Sequence, residues 1–142
     1  MTIASILREK GADVVHVAPG DSVTSVLALL DDRGIGAVLV CDDGSVAGVV
    51  SERDIVRCLA RRKAEVLALT ARDVMTAPVI TVPPATTVNE AMSLMTDRRI
   101  RHLPVVDGSR LAGLVSIGDL VKARIEAAER EAGELKEYIT AA

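Results

Sequence analysis

Two short stretches carry the residue types best suited to chemistry: Gly48-Val49-Val50-Ser51-Glu52-Arg53-Asp54 and Gly113-Leu114-Val115-Ser116-Ile117-Gly118-Asp119. In each, an apolar run reaches a serine that is followed three residues later by an aspartate, at what reads as a strand-to-helix junction. That spacing matches a helix capping box, in which the serine oxygen and the acid satisfy free N–H groups of the first turn. The same place suits a ligand, because a helix N-terminus aims N–H groups and a positive dipole at whatever fills the adjoining cleft. Spacing alone leaves both readings open. Gly48 and Gly113 either give backbone room beside that cleft or mark a strand bulge.

Catalytic patterns are not found. His16 and His102 are the only histidines, neither starts the spacing of a metal-binding helix, and no nucleophile-elbow or Walker sequence occurs. Cys41 and Cys58 have no CxxC spacing and no nearby His or Cys, so they read as two buried, reduced thiols. The expectation is a chain without catalytic activity, metal or required cofactor.

The elements that must position the two boxes are themselves duplicated. Residues 12–57 lie over 77–122 at a constant offset of about 65, with roughly sixteen of the paired positions identical. Each copy reads β-α-β-β-α. In the first, a strand at Val14–Val17 precedes a helix carrying Val23, Val26, Leu27 and Leu30, which ends at Gly34-Ile35-Gly36. Two apolar runs then flank the hairpin signal Asp42-Asp43-Gly44-Ser45, and a second helix starts at Ser51. In the second copy, Val79–Val82 is the expected first strand, Thr87-Val88-Asn89-Glu90 is a capping box, and strands follow around Leu103–Val106 and Leu111–Val115. The fold class is α+β, two such repeats about a pseudo-two-fold axis. Its expected divisions are 1–61, a connector at 62–76 that opens a short helical turn near Thr70, and 77–142 with an extended last helix. That helix carries an interrupted apolar stripe from Leu120 to Ile139, part expected to pack on its own domain and part on a second subunit.

Length suits one compact module, each half being near the size at which a core becomes marginal. The net charge of −3 gives no general attraction to nucleic acid or membrane. Tyr138 is the only aromatic residue, so bases cannot be stacked on a row of rings as single-strand binders require. The basic Arg61-Arg62-Lys63 reads as a solvated helix end rather than a nucleic-acid patch. With neither a signal-peptide pattern at the start nor an apolar run long enough for a membrane span, a cytoplasmic protein is the expectation.

The Gly48–Asp54 and Gly113–Asp119 motifs, together with Arg99-Ile100-Arg101-His102-Leu103-Pro104-Val105-Val106, make the two halves resemble a tandem pair of CBS domains, the Bateman module. The resemblance covers about residues 5–125 and is strongest to stand-alone bacterial CBS-pair proteins. It implies clefts for adenosine-containing ligands such as AMP, ADP, ATP, NAD or S-adenosylmethionine. It also implies that Ser51 and Ser116 face ribose and phosphate while Asp54 and Asp119 hold ribose hydroxyls.

The copies differ where a phosphate needs counter-charge. Gly34, Gly36 and Ala37 correspond to Arg99, Arg101 and His102, and Gly118 replaces Arg53. Two clefts of unequal phosphate affinity are therefore expected, with Arg99, Arg101 and Arg53 meeting phosphate oxygens and His102 adding a donor and pH sensitivity. Surface arginines paired with acidic neighbours are the alternative. Arg98, which matches Arg33, is assigned a shared structural role. Ile80, in the expected strand, is the candidate edge for the adenine. The functional expectation is a non-catalytic energy or cofactor sensor, a homodimer that regulates some protein partner. The alternative is a ligand-free dimerisation scaffold docking on an enzyme or transporter.

Overall fold

The computed structural model describes residues 1–141 and has the expected α+β architecture. The first repeat holds β1 (His16–Val17), α2 (Val23–Arg33), β2 (Ala37–Asp42), β3 (Ser45–Ser51) and α3 (Glu52–Arg62), preceded by α1 (Ile3–Lys10). A 3-10 turn at Lys63–Ala68 and α4 (Ala71–Val74) lead to α5 (Val88–Arg98), β4 (His102–Asp107), β5 (Arg110–Ser116) and α6 (Ile117–Ala141). β1 pairs parallel to β2, and β2 antiparallel to β3. The second sheet is the antiparallel pair β4-β5 alone.

Local chemistry accounts for most of the boundaries. Ser22 caps α2 by accepting the Ser25 N–H at 3.1 Å, and Gly34 ends that helix at φ 61°, ψ 39°. Thr87 likewise accepts the Glu90 N–H at 3.1 Å, one half of the box expected there. At the β2-β3 hairpin Asp43 and Gly44 both have positive φ, 51° and 81°, as a tight two-residue turn demands.

Val79–Val82 does not form the expected strand: only Val82 pairs, as an isolated parallel bridge to Val105. Pro78, Pro83 and Pro84 crowd this stretch, and proline lacks the N–H that a ladder needs. The cysteines also depart from expectation, being half-buried rather than buried. Cys41 follows the β2 bulge near the hairpin, and Cys58 lies at the edge of the first core.

The two cores are interlaced. Ile3 and Ile6 of α1 pack with Val88, Met95, Leu103 and Leu120 of the second repeat. Ala71 and Val74 of α4 pack with Val23, Val38 and Val50 of the first. The crossing points need room. A Cβ on Gly48 would lie 2.5 Å from Met75 Sδ and 3.0 Å from the Thr76 carbonyl oxygen, and one on Gly113 would lie 2.7 Å from Leu7 Cδ2. Each glycine also sits at the register shift of its hairpin, opposite Val40 in one and Val105 in the other. They therefore make way for the chain's own segments. Because Gly48 meets the Thr76 carbonyl as well as the Met75 side chain, while Gly113 meets only the Leu7 side chain, Gly48→Ala is expected to cost about 1–3 kcal/mol and Gly113→Ala less, measured by urea unfolding.

Candidate functional site

Both serine–aspartate pairs form the capping interactions their spacing suggests. Asp54 Oδ2 accepts the Ser51 N–H at 2.8 Å and the Ser51 hydroxyl at 2.9 Å, while Ser51 Oγ accepts the Asp54 N–H at 3.2 Å. Asp119 Oδ2 accepts the Ser116 N–H at 2.8 Å, and Ser116 Oγ accepts the Asp119 N–H at 3.1 Å. The third partner is where the copies part. Backbone pairing of Thr76 with Val49, at 2.9 and 3.1 Å, brings the Thr76 hydroxyl to donate to Asp54 Oδ1 at 2.8 Å. At Asp119 the partner is Lys10, whose ammonium lies 2.7 Å from Oδ2 and also donates to the Leu114 carbonyl at 2.8 Å.

Asp54 lies in a cleft of about 600 Å³ between the repeats, a size usual for small-molecule sites. Of the residues singled out from sequence, Ser51, Arg53, Asp54, Ile80, Arg99, Arg101, His102 and Ser116 line it. Asp119 does not. It lines a pocket of about 180 Å³ together with Lys10, too small for a nucleotide. Asp119 is thus paired with the chain's own cation.

Sequence reasoning missed Thr76, Arg57 and Arg98, which also line the large cleft. Arg57 is one helical turn after Arg53, a spacing that could have found it. Arg98 matches Arg33 in the other repeat, yet the cleft takes only Arg98. Thr76 aligns with Gly11 and has no repeated signal. Among the described residues the ion pairs are Lys10–Asp119, Arg72–Asp42 and Lys122–Glu126, so the five cleft arginines are unpaired. Arg99 caps α5 in the left-handed region at φ 55°, ψ 44°, where the first repeat has Gly34. A side chain there costs about 1 kcal/mol. The Arg101 carbonyl accepts the Ile117 N–H at 2.8 Å, which ties the arginine loop to the start of α6.

Burial pushes the His102 imidazole below its usual value; Lys10 and Arg101 push the same way, against Asp119 and Glu52. Burial alone would raise the Asp119 carboxyl, but Lys10 and the Ser116 N–H outweigh it and hold the group low. No helix among the described residues is long and apolar enough to cross a membrane.

This chain belongs to the CBS-domain family, whose pattern matches residues 3–61 and again 71–126. The tandem pair is the regulatory module of that family. A mitochondrial CBS-domain protein of Arabidopsis thaliana, CBSX3, is 33% identical over 97% of this chain and 71% of its own length. A CBS-domain protein from Burkholderia ambifaria superimposes with a TM-score of 0.84 at 42% identity, covering 89% of this chain and 95% of its own. The CBS domain pair of protein MJ0100, solved with 5′-methylthioadenosine and S-adenosyl-L-methionine, shares the fold at TM-score 0.77 and 24% identity, covering 91% of this chain and 98% of its own. The chain spans 36% and 57% of two further relatives, from Thermofilum pendens and Methanopyrus kandleri.

The two shifted groups give separate acid limbs. His102 has a depressed folded value, so the unfolded chain takes its proton first, and stability falls as pH drops from about 6.5 towards the folded value. Asp119 is also depressed, so its contribution is full above about 4 and is lost as pH falls through the folded value. Urea midpoints across pH are expected to lose the upper limb in His102→Asn and the lower limb in Asp119→Asn.

Proposed function

We propose that the large cleft takes one phosphate-bearing adenosine ligand, AMP, ADP, ATP or NAD, and that the protein is a non-catalytic sensor of energy or cofactor level. The observation that carries this reading is the make-up of that cleft. Arg53, Arg57, Arg98, Arg99 and Arg101 against Glu52 and Asp54 leave a net lining charge of +5 − 2 = +3. Arginines without acidic partners suit phosphate oxygens, which they bind bidentately. Asp54 Oδ1 accepts one hydrogen bond from Thr76 and retains capacity for a ribose hydroxyl. Val79, Ile80 and Ile100 offer an aliphatic wall for the base.

S-adenosylmethionine, with a sulfonium cation and no phosphate, suits this lining least of the candidates. Because the cleft draws on both repeats, a ligand that favours one of their arrangements shifts the population towards it. Such a shift within a homodimer is the proposed signal to a regulated protein partner.

Thermal unfolding and calorimetry with AMP, ADP, ATP, NAD and S-adenosylmethionine test this. One phosphate-bearing ligand per chain is expected, with a stabilisation of about 2.7 kcal/mol at a hundredfold excess over the dissociation constant. Asp54→Asn should weaken the ribonucleotide far more than its deoxyribose analogue; equal losses would remove Asp54 from ribose recognition. No response to any adenosine ligand would favour the ligand-free scaffold. Arg99→Gly separates stability from function, with an expected gain of about 1 kcal/mol in unfolding and affinity lower by about tenfold.

A further inference from the structure

Among the described residues, none packs on the last helix past Ala127. Every residue from 128 to 141 is exposed, and Gly133 within it disfavours helix by about 1 kcal/mol relative to alanine. A helical run this short is marginal in water without tertiary packing. Its apolar side chains are nonetheless ordered into a seam. Val121, Ile125, Ala128, Ala132, Leu135 and Ile139 alternate at spacings of four and three, the d and a positions of a heptad repeat. Val121 is 40% exposed, Ile125 53%, Leu135 60% and Ile139 65%.

We propose that residues 121–139 of α6 pair with the same segment of a second copy as a parallel two-stranded coiled coil. This deepens the homodimer reading and does not depend on the ligand of the cleft. Charge complementarity selects both the occupant and its direction. Lys122, Glu129 and Lys136 fall at e positions, and Arg124, Glu131 and Tyr138 at g. In a parallel pair each g residue meets the e residue of the following heptad on the other helix, so Arg124 faces Glu129 and Glu131 faces Lys136. Two-fold symmetry repeats both attractions.

The antiparallel overlap of the same seam instead sets Glu129 against Glu129, Glu131 against Glu131 and Lys122 against Lys136. Like charges then meet at each of these places. The alanines at the middle of the seam let the backbones approach while adding little apolar area, so Val121 and Ile125 at one end and Leu135 and Ile139 at the other carry the apolar contact. Arg124 is held on its own domain by the Asn89 side chain, which leaves its charge uncompensated there.

Sedimentation of the full chain over a concentration series, combined with oxidative cross-linking, tests the proposal. A concentration-dependent dimer is expected. Ile139→Cys should cross-link to itself rapidly under mild oxidant, whereas the unsubstituted chain, with only Cys41 and Cys58, should not. In the antiparallel overlap the two copies of position 139 lie roughly 27 Å apart, at 1.5 Å rise per residue, and cannot join. Glu131→Lys should weaken the dimer about tenfold, because two attractions become repulsions, and adding Lys136→Glu should restore it. A chain that remains monomeric at about 200 µM, where a pair with a dissociation constant of about 1 µM, or −8.2 kcal/mol, is almost wholly formed, overturns both the homodimer and the coil. A dimer without the 139 cross-link, or unmoved by Glu131→Lys, overturns the parallel coil and leaves the homodimer standing.

Discussion

A side chain is excluded at Gly48 because the connector between the repeats crosses β3 there, with the Met75 thioether and the Thr76 carbonyl where a Cβ would be. That close crossing sets the Thr76 backbone in register with Val49 and so delivers the Thr76 hydroxyl to Asp54. Asp54 in turn closes the capping box that starts α3. Arg53 and Arg57 leave that helix on its cleft side. One backbone approach therefore fixes the carboxylate, the helix that carries it and two of the cations facing it. A loosened crossing would alter all three together.

The duplication does not produce two like sites. The hairpins, bulges and serine caps repeat at the same offset, yet a threonine hydroxyl meets one aspartate and a lysine ammonium meets the other. A neutral donor leaves Asp54 its negative charge to offer, whereas Lys10 compensates Asp119 internally. The cations divide in the same sense, with Arg99 and Arg101 replacing glycines of the first copy and facing into the cleft that Asp54 shares. Arg99 does so from a backbone conformation better suited to the glycine it replaces, and such strain is commonly retained where function needs it.

Legibility in the sequence followed the range of each interaction. Ser51 with Asp54, and Ser116 with Asp119, are three residues apart and obey a local rule, so spacing alone exposed them. The asymmetry of Arg99, Arg101 and His102 was visible because one copy serves as the reference for the other. Lys10 and Asp119 are separated by 109 positions, and no periodicity ties them. Thr76 owes its place to the crossing at Gly48, which a linear pattern presents only as a glycine in a strand. The apolar pattern of Val79–Val82 suggests a strand, but the flanking prolines remove ladder donors and only Val82 pairs.

The exchange of short helices between the cores constrains the order in which the chain can fold. The first core is incomplete until α4 has been made, so its own repeat must wait for Ala71 and Val74. For α1 the delay is longer. Its partners Leu103 and Leu120 come from the far half of the chain, and an eight-residue helix does not hold its shape alone. During synthesis Ile3 and Ile6 would therefore stay exposed until nearly the whole second repeat has emerged. Closing that long loop is a late, entropically costly step, which puts the side chains of α1 among the last to reach their native places although they are made before the core that receives them.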